Sequence, residues 1–474
     1  MFVLITQTTP QHLTGAPSYR SNVSLARVQN WGENAPPPCG VVGPMPIDFP
    51  VFPLSTPCLR PVELIPVRSR DGQPAIMVRD PLGVIEGTAV LSANPLLMVF
   101  LELANGENTI EQIVSAVTRA TGEIVPAQIF ESMTQQLDQV LLLQTERFRE
   151  AFEAKKAAFA ASDVRAPLVF ASDEKTDRLA VIKELSDELR RHGAGTQGPP
   201  SDLGLPRASV RAILSPHIDY ARGGHGYAWA YRALKEAGTP AKTYIVLGTH
   251  HHGAEHPFIA TRKHYETPLG RVETNIALLD EFATEFQGEL FADEYAHASE
   301  HTIELQAVYL RHIFGAQAPS IVPILVGSFE HLLHDGRTPK DDPEIVAFCA
   351  ALRTVLDRHP EVGLIGGVDF SHCGPQFGDV EPVDANRKKE IEACDRRVLD
   401  ALESGDPEAF FEAFREDLNA QNVCSIAPIY CVMEAMRDRA KPRVLHYDAH
   451  NSTDGSCLVS FAAAAFVQAP SLII

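Results

Sequence analysis

Cysteine is scarce in this chain, and its positions do not pair. Eight thiols occur in 474 residues, none in a Cys-x-x-Cys spacing, which excludes a disulfide-stapled scaffold. Long apolar runs are missing too: no stretch approaches the roughly 18 consecutive apolar residues of a membrane-spanning helix, so no membrane partner is expected. The N-terminal residues show neither the basic start nor the apolar core of a signal peptide, which predicts a cytoplasmic protein. Basic side chains are in deficit, 41 Lys and Arg against 61 Asp and Glu, for a formal charge of -20. A field of that sign repels nucleic acid and anionic lipid and argues against a generic phosphate-binding role. Familiar catalytic signatures are absent as well. There is no His-Glu-x-x-His or Gly-x-Ser-x-Gly, and the Gly-rich Arg222–Gly226 lacks the Lys-Ser/Thr of a P-loop.

What is present is ordinary globular composition, 45% hydrophobic and 22% charged. The length exceeds what one core commonly serves, so more than one folded unit is expected. Residues 1–60 carry 10 of the 35 prolines and no sustained period, and they read as a disordered leader. From 61 to 145, three short strand-like runs precede Asn94-Pro95, a cap and first turn for a helix. Asn105-Gly106 closes that helix, Asn108 or Thr109 opens a second, and a third runs from about Pro126 to Leu143. This order predicts a small winged-helix-like domain. Residues 146–204 are charged and alanine-rich and read as a helical connector, broken at 192–201 by Gly, Pro and Ser.

Residues 205–474 alternate short apolar runs with helical segments, the mark of an α/β domain with a largely parallel sheet flanked by helices. Ligands of such sheets bind outside the carboxyl ends of the strands, so the residues just after each run are informative. Ala212–Ser215 leads to His217 and Asp219; Tyr244–Leu247 leads to His250, His251 and His252; Gly363–Val368 leads to Asp369 and His372. A lone histidine in such a loop is more often a capping or packing residue. Three at one sheet edge, with carboxylates nearby, point instead to a mononuclear metal site. Glu300 and His301 stand at the start of a helix, where capping and support of that site are both expected. Cys424 precedes the apolar helix from Ile429, where the helix dipole favours a thiolate ligand. Cys373, beside His372, is the second choice among the thiols.

These segments carry a family resemblance. Ser-Pro-His217-x-x-Tyr, Leu-Gly-x-x-His251-His, Thr-Pro268-Leu-Gly, Glu300-His-x-Ile-Glu, Val-Pro323-Ile-Leu-Val-Gly, Asp369-Phe-x-His372 and Cys424-x-x-x-Pro-Ile occur in this order. Together they resemble the Memo family, called AmmeMemoRadiSam system protein B in bacteria, across residues 205–468. The resemblance implies a fold similar to the class III extradiol dioxygenases. It also implies an iron(II) or copper site whose ligands fall on His217, His251 and Cys424, with His372 standing where the dioxygenases keep an acid/base histidine and Asp369 holding it. Two departures stand out. The family's Pro-His-Ala-Gly-Tyr is here Pro-His217-Ile-Asp219-Tyr220, where Asp219 could orient His217, add an oxygen ligand or cap the next turn. Its His-Ala-Gly-x-Trp/Tyr segment is not recognisable, and Arg165–Asp173 occupies that place. With His250 preceding His251, the ligand register could also slip by one.

Residues 61–145 resemble the PqqD-like domains, through Leu-x-x-Asn94-Pro and Leu-x-x-Ala-Asn105-Gly-x-x-Thr-Ile-x-x-Ile, which implies a peptide or protein partner. The family's name further implies radical-SAM and AMMECR-type partners in a modification system. Three functions fit these features. One is redox or oxygen chemistry at the metal, and a second is partner binding by the same pocket without catalysis. The third is zinc-dependent hydrolysis, since two histidines and a cysteine also suit zinc.

Overall fold

The computed structural model describes residues 3–6, 49–68, 73–85, 88–170, 178–237 and 241–468. The chain divides into two compact units, Met1–Ala161 and Ser162–Ile474. Most of the segment expected to be a disordered leader lies outside the described residues. Its first and last parts do not: Val3–Thr6 form a strand paired in a sheet, and Phe49 is buried, its ring 5.5 Å from Phe148 and 5.8 Å from Phe152.

Among the described residues, the first unit has four strands, β1 (Val3–Thr6), β2 (Glu63–Arg68), β3 (Pro74–Arg79) and β4 (Thr88–Ser92). They form an antiparallel sheet in the order β1-β4-β3-β2. Four helices follow: α1 (Pro95–Leu103), α2 (Ile110–Thr121), α3 (Ala127–Gln139) and α4 (Glu146–Ala161). Local chemistry sets their ends. Asn94 Oδ1 accepts from the Leu96 amide at 2.8 Å, with Pro95 as the first helical residue. Thr109 and Gln112 cap α2 reciprocally, and Gly122 ends it at φ 75°. Apolar positions at helical spacing, Ile110, Ile113 and Val117 on α2 and Phe130, Met133 and Leu137 on α3, then bury against Phe100, Ala89 and Leu91.

The second unit begins with β5 (Val164–Arg165) and α5 (Arg178–Ala194). Residues Gly193-Ala-Gly-Thr-Gln-Gly198 spell Gly-x-Gly-x-x-Gly, but they close α5 instead of joining a strand to a helix. They therefore lack the context of a dinucleotide cradle. The following elements are β6 (Val210–Ser215), α6 (Tyr220–Ala237), β7 (Thr243–Thr249), β8 (Phe258–Ala260), β9 (His264–Tyr265), α7 (Ile276–Phe286), α8 (Ala296–Ser299), α9 (Thr302–Phe314) and β10 (Ser320–Val326). Then come α10 (Glu330–His334), α11 (Pro343–Arg358), β11 (Val362–Gly367), β12 (His372–Cys373), α12 (Ala385–Ser404), α13 (Pro407–Glu412), α14 (Ile426–Met436), β13 (Lys441–Asn451) and β14 (Leu458–Val467).

The large sheet runs β12-β14-β6-β11-β7-β10-β8, with β13 pairing along β14. Its four middle strands, β6, β11, β7 and β10, are parallel, and antiparallel strands close both sides. Strands buried on both faces must be apolar throughout, and alternate residues serve opposite cores. Leu214, Ile245, Leu247 and Ile324 pack toward α7, α11 and α14, whereas Ile213, Val246, Leu325 and Ile365 pack toward α5, α6 and α9. The mixed α/β architecture expected from the alternation is present, and it sets three carboxyl strand ends side by side.

Candidate metal centre

His217 follows β6 by two residues and is 2% exposed. Its backbone amide donates to Asp369 Oδ1 at 3.0 Å, and its Nδ1 donates to the Gly367 carbonyl at 3.0 Å. That second bond places the ring proton on Nδ1 and leaves the Nε2 lone pair free. Nε2 faces Cys424 Sγ at 3.5 Å and Asp369 Oδ2 at 3.6 Å.

His251 follows β7. Its amide and its Nδ1 both donate to Glu300 Oε2, at 3.1 and 3.0 Å, so here too Nε2 is the nitrogen left for Cys424. Glu300 is 1% exposed, and its other oxygen accepts from the His301 and Thr302 amides at 2.8 and 3.2 Å at the start of α9. One carboxylate thus caps a helix and orients a histidine. Gly248 makes the approach feasible, because a Cβ there would lie 2.5 Å from Thr302 Oγ1 and 2.6 Å from Ile303 Cγ1.

Cys424 sits just before α14. Its Sγ lies 3.3 Å from Ser425 Oγ. That hydroxyl accepts from the Asp369 amide at 3.0 Å and pairs with Thr249 Oγ1 at 2.8 Å, tying the ends of β7 and β11 to the helix. Donor atoms of His217, His251 and Cys424 all lie within 4.8 Å of one another, and the two imidazole rings stand 5.0 Å apart at 90°.

Burial and charge divide the titratable groups. Burial, reinforced by neighbouring His251, holds His217 well below the usual histidine range. For His251 burial acts in the same sense but is outweighed by the Glu300 charge and by hydrogen bonds to Cys424 and Glu300, and its pKa rises. Glu300 is correspondingly driven low, its burial overcome by His251 and His301. Burial pushes Asp369 up to about 7 and His372 down to about 4.

The other expected residues take different places. His372 lies outside the three-donor group; its Nδ1 donates to Phe370 O at 2.9 Å, and its ring meets Phe377 edge-on at 5.0 Å. Asp219 accepts from the Arg222 amide at 3.1 Å and from its Nε at 2.5 Å, the capping alternative, at the first turn of α6. His301 stacks on His251 at 5.4 Å, and with Glu300 and His251 it forms an overlapping donor group. The rings of His250 and His252 stand 6.2 Å apart, and neither residue joins a three-donor group among the described residues. Cys373 is buried with Sγ 3.7 Å from Gln421 O, and burial pushes its thiol up to about 12.

Two features were not anticipated. The Thr249–Ser425 hydroxyl pair gives no sequence signal, because isolated hydroxyl residues are common everywhere. Arg165, fully buried, pairs with Glu304 and donates to the His297 and Glu300 carbonyls at 2.9 and 2.7 Å. It holds the loop that carries Glu300.

Residues 182–465 match the family model described as Memo-like protein. A MEMO1 family protein of Aquifex aeolicus is 25% identical over 405 residues, covering 84% of this chain and 99% of that relative. This match is longer than the second unit and so extends into the first. A MEMO1 family protein of Methanopyrus kandleri is 29% identical over 293 residues, covering 60% of this chain and 93% of its own. An uncharacterized Escherichia coli K12 protein of solved structure aligns at 10% identity with a TM-score of 0.32, over 54% of this chain and 99% of that one.

Proposed function

Because this chain belongs to the Memo-like family, we propose that His217, His251 and Cys424 hold one iron(II) or copper ion for redox or oxygen chemistry. The carrying observation is the convergence of three donor atoms within 4.8 Å from three separate loops. The donor set fits such an ion. Both imidazoles have Nδ1 engaged by a backbone or carboxylate oxygen and present Nε2 toward Cys424, as ligating histidines do, and the thiolate favours a softer metal than a two-histidine, one-carboxylate site would. When bound, the ion supplies redox capacity at the sheet edge.

The chain's own groups supply the rest. Asp369, with a pKa of about 7, can hold or release a proton at neutral pH beside His217 Nε2. His372, neutral at that pH and with Nδ1 engaged by Phe370 O, offers Nε2 as a proton acceptor.

Anaerobic titration of the metal-free protein with Fe(II), Cu(II) and Zn(II), followed by oxygen uptake with a catechol panel, tests the reading. Iron or copper should bind with a thiolate charge-transfer band and confer metal-dependent oxygen consumption. Tight binding of zinc alone, or uptake indifferent to loading, would count against it and favour the hydrolase or binding alternatives. A companion expectation concerns Glu300→Gln, which keeps the side chain's length but not its charge. Affinity at this site should fall roughly 10- to 100-fold, the usual cost of losing a partner that orients a ligand. An unchanged affinity in the same titration would deny Glu300 that role.

A further inference from the structure

We infer that His225, His446 and Asp448 form a second, separate cation site, built for a divalent first-row metal of the zinc class. It shares no residue with the centre above and stands whatever the outcome there. Its three donor atoms also lie within 4.8 Å of one another. They come from two regular elements and not from loops: His225 from the second turn of α6, and His446 and Asp448 from β13. Successive side chains of a strand alternate in direction, so the spacing of two sets His446 and Asp448 on one face.

The side chains are held as ligands need to be. His225 is 7% exposed, and its Nε2 lies 3.1 Å from Asp448 Oδ2. The His225 and His446 rings stand 5.1 Å apart, edge to face. His446 stacks on Trp229 at 5.2 Å with 5° between planes, which fixes the ring and leaves its nitrogens in the plane free of that contact. Gln197 Nε2 donates to Asp448 Oδ2 at 3.0 Å, and Trp229 Nε1 donates to Gln197 O at 2.9 Å, so the carboxylate is oriented in turn.

The decisive observation is His446 Nε2. It is buried and has no hydrogen-bond partner among the described residues. A histidine serving only to pack on Trp229 would leave that nitrogen unsatisfied, a state folded proteins avoid. A cation between His446, His225 and Asp448 satisfies it. It also replaces the His225–Asp448 hydrogen bond with two bonds to the metal, His225 then carrying its proton on Nδ1. Two imidazoles and a carboxylate, with no thiolate, select a borderline divalent ion over copper(I). Because β13 is the strand added outside β14, the cation would clip that strand to α6.

The test uses the full chain carrying Cys424→Ser and His251→Ala, which removes ligands from the principal centre. Titrated with Zn(II) alone, this protein should bind one equivalent, with a rise in Tm. Adding His446→Gln or Asp448→Asn should weaken that binding at least tenfold and abolish the rise. Cobalt(II) in the same background should give ligand-field bands without a sulfur charge-transfer band. No zinc uptake by the background protein, or uptake unmoved by both added substitutions, overturns the inference. Should the background protein fail to fold, His446→Gln in the otherwise native chain must lower zinc stoichiometry by one equivalent, whatever the principal centre holds. An unchanged stoichiometry overturns the inference equally.

Discussion

Cys424→Ser should strip the principal centre of its metal while leaving the fold intact. Losing a residue that only orients a ligand typically costs 10- to 100-fold in affinity, so losing a ligand should cost roughly 100-fold or more. A serine hydroxyl stays protonated at neutral pH and replaces a charged soft donor with a neutral hard one. Stability should hardly move. The thiol is only partly buried, its polar neighbours are the Ser425 hydroxyl at 3.3 Å, His217 Nε2 at 3.5 Å and the Asp369 carbonyl at 3.9 Å, and an oxygen of similar size can meet all three. Elemental analysis after anaerobic purification should therefore show iron or copper falling to a small fraction of native content, with the unfolding midpoint nearly unchanged. Cys373→Ser is the control, because that thiol faces Gln421 and not the two histidines. Native metal content in Cys424→Ser would remove the thiolate from the donor set. Equal losses in both variants would point to a general effect of thiol removal.

The convergence of the proposed donors was partly legible in the chain for a physical reason. His217 and His251 each lie two residues past a strand end, and the strands announce themselves as unbroken apolar runs, whereas Cys424 stands before α14. Placing His217 after β6 and His251 after β7 required no knowledge of side-chain contacts. The same holds for Asn94-Pro95, where cap and first turn are set by neighbours in sequence. What escaped depends on distance along the chain. Arg165 meets Glu304 across 139 residues and Thr249 meets Ser425 across 176; neither pairing leaves a local pattern. The second cluster is intermediate. His446 and Asp448 share a strand face and are visible as an alternation, but His225 joins them only because α6 packs on β13. The extent of the first unit was also unclear beforehand. Prolines argued for a leader up to residue 60, yet the amide of Leu59 donates to Ala104 O at 2.7 Å and that of Phe52 to Gln144 O at 2.8 Å. These tie residues 52–59 to α1 and to the chain after α3.

Arg165→Met should destabilise the second unit by about 3–5 kcal/mol, the usual cost of removing one partner of a buried ion pair. Arg165 and Glu304 are both fully buried, so without the guanidinium the carboxylate keeps its charge in a site that excludes water. The Leu168 and Val169 amides, at 2.8 and 3.1 Å, would remain its main partners. Methionine fills the aliphatic part of the space but donates to neither His297 O nor Glu300 O, and these carbonyls lose a partner as well. A double variant, Arg165→Met with Glu304→Gln, separates the terms. Glutamine removes the stranded charge yet still accepts from the two amides, so the pair should cost less than the arginine change alone. Urea unfolding of the full chain, following the transition of the second unit, reads both values. A single-variant loss below about 1 kcal/mol would mean that water or a shifted backbone replaces the guanidinium, contrary to the burial. The effect should also reach the metal. Arg165 holds the Glu300 carbonyl at 2.7 Å, and Glu300 orients His251 at 3.0 Å. Arg165→Met protein that remains folded should therefore bind metal more weakly at the principal centre, while zinc binding at His225, His446 and Asp448 is unchanged.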